Sequence, residues 1–204
     1  MKHETLAADG LLEVRNRTGR LLAAAFLVLL ALTQATQAGG RFEGKLITEA
    51  LDDGRNLRVV KPFAYVDANG AKWKVPEGTE TDGASVPRFF WSLYPPFTGK
   101  YRKAAVVHDV YCQTRDTAWE AVHRMFFDAM LAAGVDQITA KTMYGAVYAF
   151  GPRWSLTGTN RAPKFSRVPD ARQQQVAEDL QKWIQETSPT PDEIAARVRA
   201  MRVR

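Results

Sequence analysis

The chain has one cysteine, three histidines and no long apolar run, and each scarcity closes off a class of protein. The lone Cys112 excludes an intramolecular disulfide and, with no CxxC pair, a cysteine-built zinc finger. The longest apolar run, Leu21 to Leu32, holds twelve residues. Spanning a bilayer takes about twenty. Basic residues are interspersed through the body without aromatic partners, so the net charge of +6 gives no strong nucleic-acid signal. It supports only a mild preference for anionic surfaces. There is no internal repeat and no low-complexity tract. What is present is ample apolar material: 46% of 204 residues, enough for one domain with appendages.

The first forty residues stand apart. Arg15, Arg17 and Arg20 precede the apolar run, and the small polar segment Thr33 to Gly39 follows it. Basic flank, short apolar core and small-residue exit are the parts of a secretory signal peptide, with cleavage expected after Ala38. Residues 1–38 therefore read as a signal peptide or a retained N-terminal membrane anchor, and the mature chain as periplasmic or secreted. No cysteine stands directly after the run, where lipoprotein anchoring would need one. Residues 39–155 read as the main domain, and 156–204 as a linker and helical C-terminal extension.

The expected fold is α+β. Phe42, Leu46 and Thr48 alternate with polar neighbours; Leu57 to Val60, Phe63 to Val66 and Lys72 to Val75 are short strand-like runs. Asp52-Asp53-Gly54 and Asn69-Gly70 mark turns. Together they predict a small antiparallel sheet over about 41–75. Glycines and prolines keep 77–100 as loop. A three-helix unit follows over about 101–150: the first helix from Tyr101 to Gln113, the second opened by a Thr117–Glu120 capping box and closed at Gly134, and the third capped by Asp136. Val176, Leu180, Trp183 and Ile184 mark a fourth helix, and Thr190-Pro191 opens a last one.

Two polar groups stand out against this background. One is the turn Thr81-Asp82-Gly83-Ala84-Ser85-Val86-Pro87-Arg88; the other is His108-Asp109, placed directly after the apolar run Ala104 to Val107. Ionisable groups where a helix would bury Val or Leu are costly unless paired, and so point to a site.

Taken with Val75-Pro76, Gly78, Trp91, Tyr101, Tyr144 and Phe150-Gly151, these strings resemble a family found in bacterial and phage genomes, domain of unknown function 1353. The resemblance covers about residues 40–155 and implies a shared fold, with no established activity. The family usually reads His-Asp-x-x-Tyr, and here Cys112 takes the place of that Tyr, with Tyr111 one position earlier. The family also carries an Asp in the next helix, where this chain has His123. A more distant likeness is to phospholipase A2, whose catalytic helix carries an adjacent His-Asp and whose second helix supplies an orienting Asp.

Three chemistries follow. In the phospholipase-like one, His108 is the base that activates water, and Asp109 holds calcium with Asp82 and carbonyls of the Gly83 turn. In the second, Asp82, His108, Asp109 and His123 hold zinc, manganese or iron, and Cys112, one turn from His108, joins as a soft ligand. Water activated by such an ion would hydrolyse an ester, amide or phosphoester. In the third there is no catalysis: Asp82 caps a turn with Ser85, Asp109 pairs with Arg88 or Arg102, His108 is a satisfied core histidine and His123 a surface residue. The leading expectation is an exported, metal-assisted hydrolase with His108 and Asp109 as catalytic residues, acting on a membrane lipid or other cell-envelope component. The rival is a non-enzymatic envelope or phage-related binding module in which the same residues staple loop to helix.

Overall fold

A computed structural model of the chain describes residues 39–54, 56–82, 99–157 and 162–201. The expected signal segment, most of the TDGASVPR turn and the aromatic loop after it lie outside the described residues.

Six short strands open the fold. They are β1 (Arg41–Glu43), β2 (Thr48–Ala50), β3 (Leu57–Val59), β4 (Phe63–Val66), β5 (Lys72–Val75) and β6 (Glu80–Thr81). They form two three-stranded antiparallel sheets, ordered β1-β4-β5 and β2-β3-β6, where a single sheet was expected. The division falls at Lys61-Pro62, because proline supplies no N–H to carry a ladder onward. The β4–β5 hairpin turns at Asn69-Gly70, with Gly70 at φ 83 as that turn requires. β4 is buried along its whole length. β6 is a correction: the glycines and prolines of 77–100 predict loop, yet Leu57 pairs with Thr81 and Arg58 with Glu80.

Among the described residues five helices follow: α1 (Arg102–Thr114), α2 (Trp119–Ala132), α3 (Gln137–Phe150), α4 (Asp170–Thr187) and α5 (Pro191–Ala200). The expected capping box at the start of α2 does not form. Ala118 takes the cap position without a side-chain bond, and the Thr117 carbonyl accepts from Trp154 Nε1 at 2.8 Å. Asp136 does cap α3, accepting from the Thr139 N–H at 2.9 Å. Thr190 and Glu193 build a reciprocal capping box at α5, with Pro191 at its first position.

The third helix is the centre of the packing. α3 is buried from Ala140 through Phe150 and contacts α2 on one side and α4 and α5 on the other. Gly145 permits the close approach: a Cβ there would lie 3.3 Å from Ile194 Cγ2 and 3.5 Å from Leu180 Cδ1. Leu180, Ile184, Ile194 and Val198 share one apolar cluster with Val107, Phe126 and Met143, so the C-terminal helices are part of the core. α1 packs against both sheets through β4, β5 and β6, which brings the end of the strand region to the helix that carries His108.

Candidate functional site

α1 presents the motif residues on two adjoining sides. Seven consecutive residues, Ala104 to Val110, are buried, so His108 and Asp109 can both be interior although they point about a hundred degrees apart. Asp109 faces the sheets. Its Oδ2 accepts from the Thr81 hydroxyl at 2.5 Å, tying α1 to β6. His108 faces α2, where its Nε2 lies 2.8 Å from His123 Nδ1. Tyr111 turns toward β5 instead, its hydroxyl accepting from the Lys74 N–H at 2.9 Å while its ring meets Trp73 edge-on.

The two imidazoles are 0% exposed. The Phe126 ring lies 4.7 Å from that of His108, and Trp119 meets His123 edge-on at 5.4 Å. Burial disfavours the imidazolium and pushes the His108 pKa down to about 3, so the ring is neutral at physiological pH. His123 is therefore interior, which removes the surface role expected for it in the non-catalytic reading. It stands where the resemblance places an Asp, and it meets His108 ring to ring.

Cys112 completes the group. One helical turn after His108, its Sγ lies 3.8 Å from His108 Nδ1 and 3.7 Å from Nε2. Ligand atoms of His108, Cys112 and His123 all fall within 4.8 Å of one another. Cys112 is the half-buried member and lines a cavity of about 710 Å³. Asp82 and Asp109 line the same cavity, together with Gln113 and Arg115. Asp170 and Gln173 of α4 form part of its wall.

Of the four residues expected to hold a metal, the structure brings His108 and His123 together. Asp82 and Asp109 face the cavity beside them. Among the described residues the metal-capable cluster takes Cys112 as its third member. That choice is visible in the spacing, because residues i and i+4 share a helix face. Calcium wants oxygen ligands, and two imidazole nitrogens with a thiol sulfur suit a zinc-like ion instead. Arg88 and Ser85 lie outside the described residues; Thr81 is one partner of Asp109.

Electrostatics decide what such a cluster favours. Cys112 stands in the last turn of α1, where the carbonyl end of the helix is negative and the nearby cation is Arg115 at the cap. Among the described residues, the carboxyl groups of Asp82, Asp109 and Asp170 share the cavity wall with the Arg115 guanidinium. This setting raises the cost of a thiolate nucleophile and lowers the cost of a bound cation. Arg115 itself ends α1 in the left-handed region, at φ 55, and donates from Nε to the Gln113 carbonyl at 3.1 Å.

Comparison with known proteins agrees with the resemblance. Residues 57–147 match the family described as "Protein of unknown function (DUF1353)". The chain is 42% identical over 130 residues to the uncharacterized protein y4jT of Sinorhizobium fredii (strain NBRC 101917 / NGR234), covering 62% of this chain and 39% of that one. It is 47% identical over 97 residues to the uncharacterized protein y4iH of the same organism, covering 45% of this chain and 39% of the relative. The chain thus spans about two fifths of the length of these curated relatives. No solved structure matches. The DUF1353 resemblance holds, and it brings no activity with it.

Proposed function

We propose that this chain is a cation-assisted hydrolase acting on an ester of a cell-envelope component, exported by its N-terminal segment. The observation that carries the reading is the layered site: Asp109 and Cys112 at a cavity of about 710 Å³, with His108 and His123 directly behind them. A cavity of this size suits a small-molecule or lipid-headgroup-sized ligand.

Ester hydrolysis needs a water oxygen to attack the carbonyl carbon, a base for the proton released, and an acid for the leaving alcohol. Asp109 is placed to take the proton from water and return it to the departing oxygen, because its carboxylate reaches the cavity while Thr81 fixes its orientation. A cation held by His108, Cys112 and His123 would supply Lewis-acid charge for the carbonyl. His108 does not line the cavity, so its part is to hold the neighbouring groups rather than to meet water. Among the described residues no helix is long and apolar enough to cross a membrane.

Asp109→Asn tests the reading, because the amide keeps an acceptor for Thr81. The expected result is a folded protein whose hydrolysis of short-chain and phospholipid esters falls by about 10²–10⁴-fold. Absence of any ester turnover by the wild-type chain would defeat the proposal. The Thr81–Asp109 bond supports the rival reading, a staple in a binding module; there Asp109→Asn would leave every ligand response unchanged.

A further inference from the structure

We infer that His108, Cys112 and His123 are the three protein ligands of a single zinc-class transition ion, with the fourth coordination position turned toward the cavity. The inference rests on the cation-assisted site proposed above and names its ion and its ligands. It narrows the expected set of Asp82, His108, Asp109, His123 and Cys112: Asp82 and Asp109 stand outside the coordination sphere.

Bond lengths set the test of fit. A tetrahedral ion with Zn–S near 2.3 Å and Zn–N near 2.0–2.1 Å places sulfur and nitrogen about 3.5 Å apart, and two nitrogens about 3.3 Å apart. Cys112 Sγ stands 3.7 Å from His108 Nε2, so that edge is already close to the required length. The His108–His123 edge is 2.8 Å and opens by about half an ångström when an ion takes the place of the shared proton. The third edge, Cys112 to His123, lies within 4.8 Å and closes toward about 3.5 Å on binding; Cys112 and His108 share one helix, and His123 sits on the helix packed against it.

The surroundings favour the same ion. The negative end of α1 and the nearby carboxylates offset the added positive charge. Of the three ligands, only Cys112 lines the cavity, so the vacant position lies on its side. Three protein ligands with one open place is the arrangement of a catalytic zinc rather than a structural one.

The experiment is cobalt substitution of the full-length chain, stripped with chelator and titrated with Co(II) and, separately, with Zn(II) and Ca(II). One cobalt per chain is expected, with visible bands of tetrahedral intensity and a near-ultraviolet thiolate-to-cobalt charge-transfer band that Zn(II) abolishes. Cys112→Ser, a near-isosteric change at a half-buried position, should lose the charge-transfer band and bind at least tenfold more weakly. Asp82→Asn and Asp109→Asn should keep the full spectrum, with circular dichroism confirming that every variant folds. A wild-type chain that takes no cobalt, or binds calcium in preference, overturns the inference. So does a spectrum lost in the two Asp variants and kept in Cys112→Ser. The readout is independent of turnover: a chain that binds cobalt through Cys112 but hydrolyses nothing keeps the ion and loses the hydrolase. Ester turnover by a metal-free chain defeats the ion.

Discussion

Thr81 donates its hydroxyl to Asp109 across 28 residues of sequence, and the two buried side chains join the last strand of the second sheet to the first helix. The bond ties strand to helix, and two substitutions measure its strength. Thr81→Val keeps shape but leaves the carboxylate without this donor. Losing one hydrogen bond to a buried charged group should lower stability by about 1.5–3 kcal/mol. Asp109→Asn should cost less, since an amide oxygen still accepts. Denaturant unfolding of both variants checks the order.

The cap of α3 should register in acid. Asp136 accepts from the Thr139 N–H, which holds its carboxyl below the usual carboxylate value. A lowered folded-state pKa stabilises the fold above the unfolded value and loses that contribution as pH falls through the folded one. Between pH 4 and pH 2, wild-type should therefore lose stability more steeply than Asp136→Asn, which caps without titrating. Asp136→Ala should cost about 1 kcal/mol at neutral pH. Thermal unfolding across that pH range reads both effects.

Lys141 is buried in α3, and its Nζ donates to the Ser188 carbonyl and Oγ at 3.2 and 3.1 Å, where α4 ends. Lys141→Met keeps the stem and strips the donor. We expect a loss of about 1–3 kcal/mol from the unsatisfied carbonyl. Ser188→Ala in the same background should then add little, and a double-mutant cycle measures that coupling.

If α4 belongs to the core, trimming it should destabilise the whole chain. Leu180 is 0% exposed. Leu180→Ala should cost about 2–5 kcal/mol. Unfolding followed by tryptophan fluorescence and by circular dichroism should remain a single coincident transition. Early melting of α4 and α5 alone would contradict the packing described here.

Much of this was legible in the chain. Alternation located the strand region, and capping residues placed the ends of α3 and α5, because those signals act within a few residues. His108 and Asp109 declared themselves by interrupting an apolar run. The limits have equally local causes. β6 has two residues, too few to carry a period. Thr117 matched a capping pattern one place too early, and its carbonyl went to Trp154 instead. His123 was singled out by resemblance, but its contact with His108 depends on how α1 crosses α2, which no spacing encodes. The cavity is the least legible part, since Asp170 and Gln173 reach it from some sixty residues beyond Asp109.

The crowding of α3 has a further consequence for where this fold begins and ends. The family match stops at residue 147, inside α3, and starts at 57, after β1 and β2. A fragment cut to those limits would lose the strand paired with β4 and the two helices that cover the far side of α3. Its apolar flank would lie open to water, and Lys141 would have no carbonyl to meet. In this chain the matched segment alone is therefore expected not to be a self-sufficient folding unit. Expression trials, domain parsing and searches for relatives should all carry the helices through residue 200.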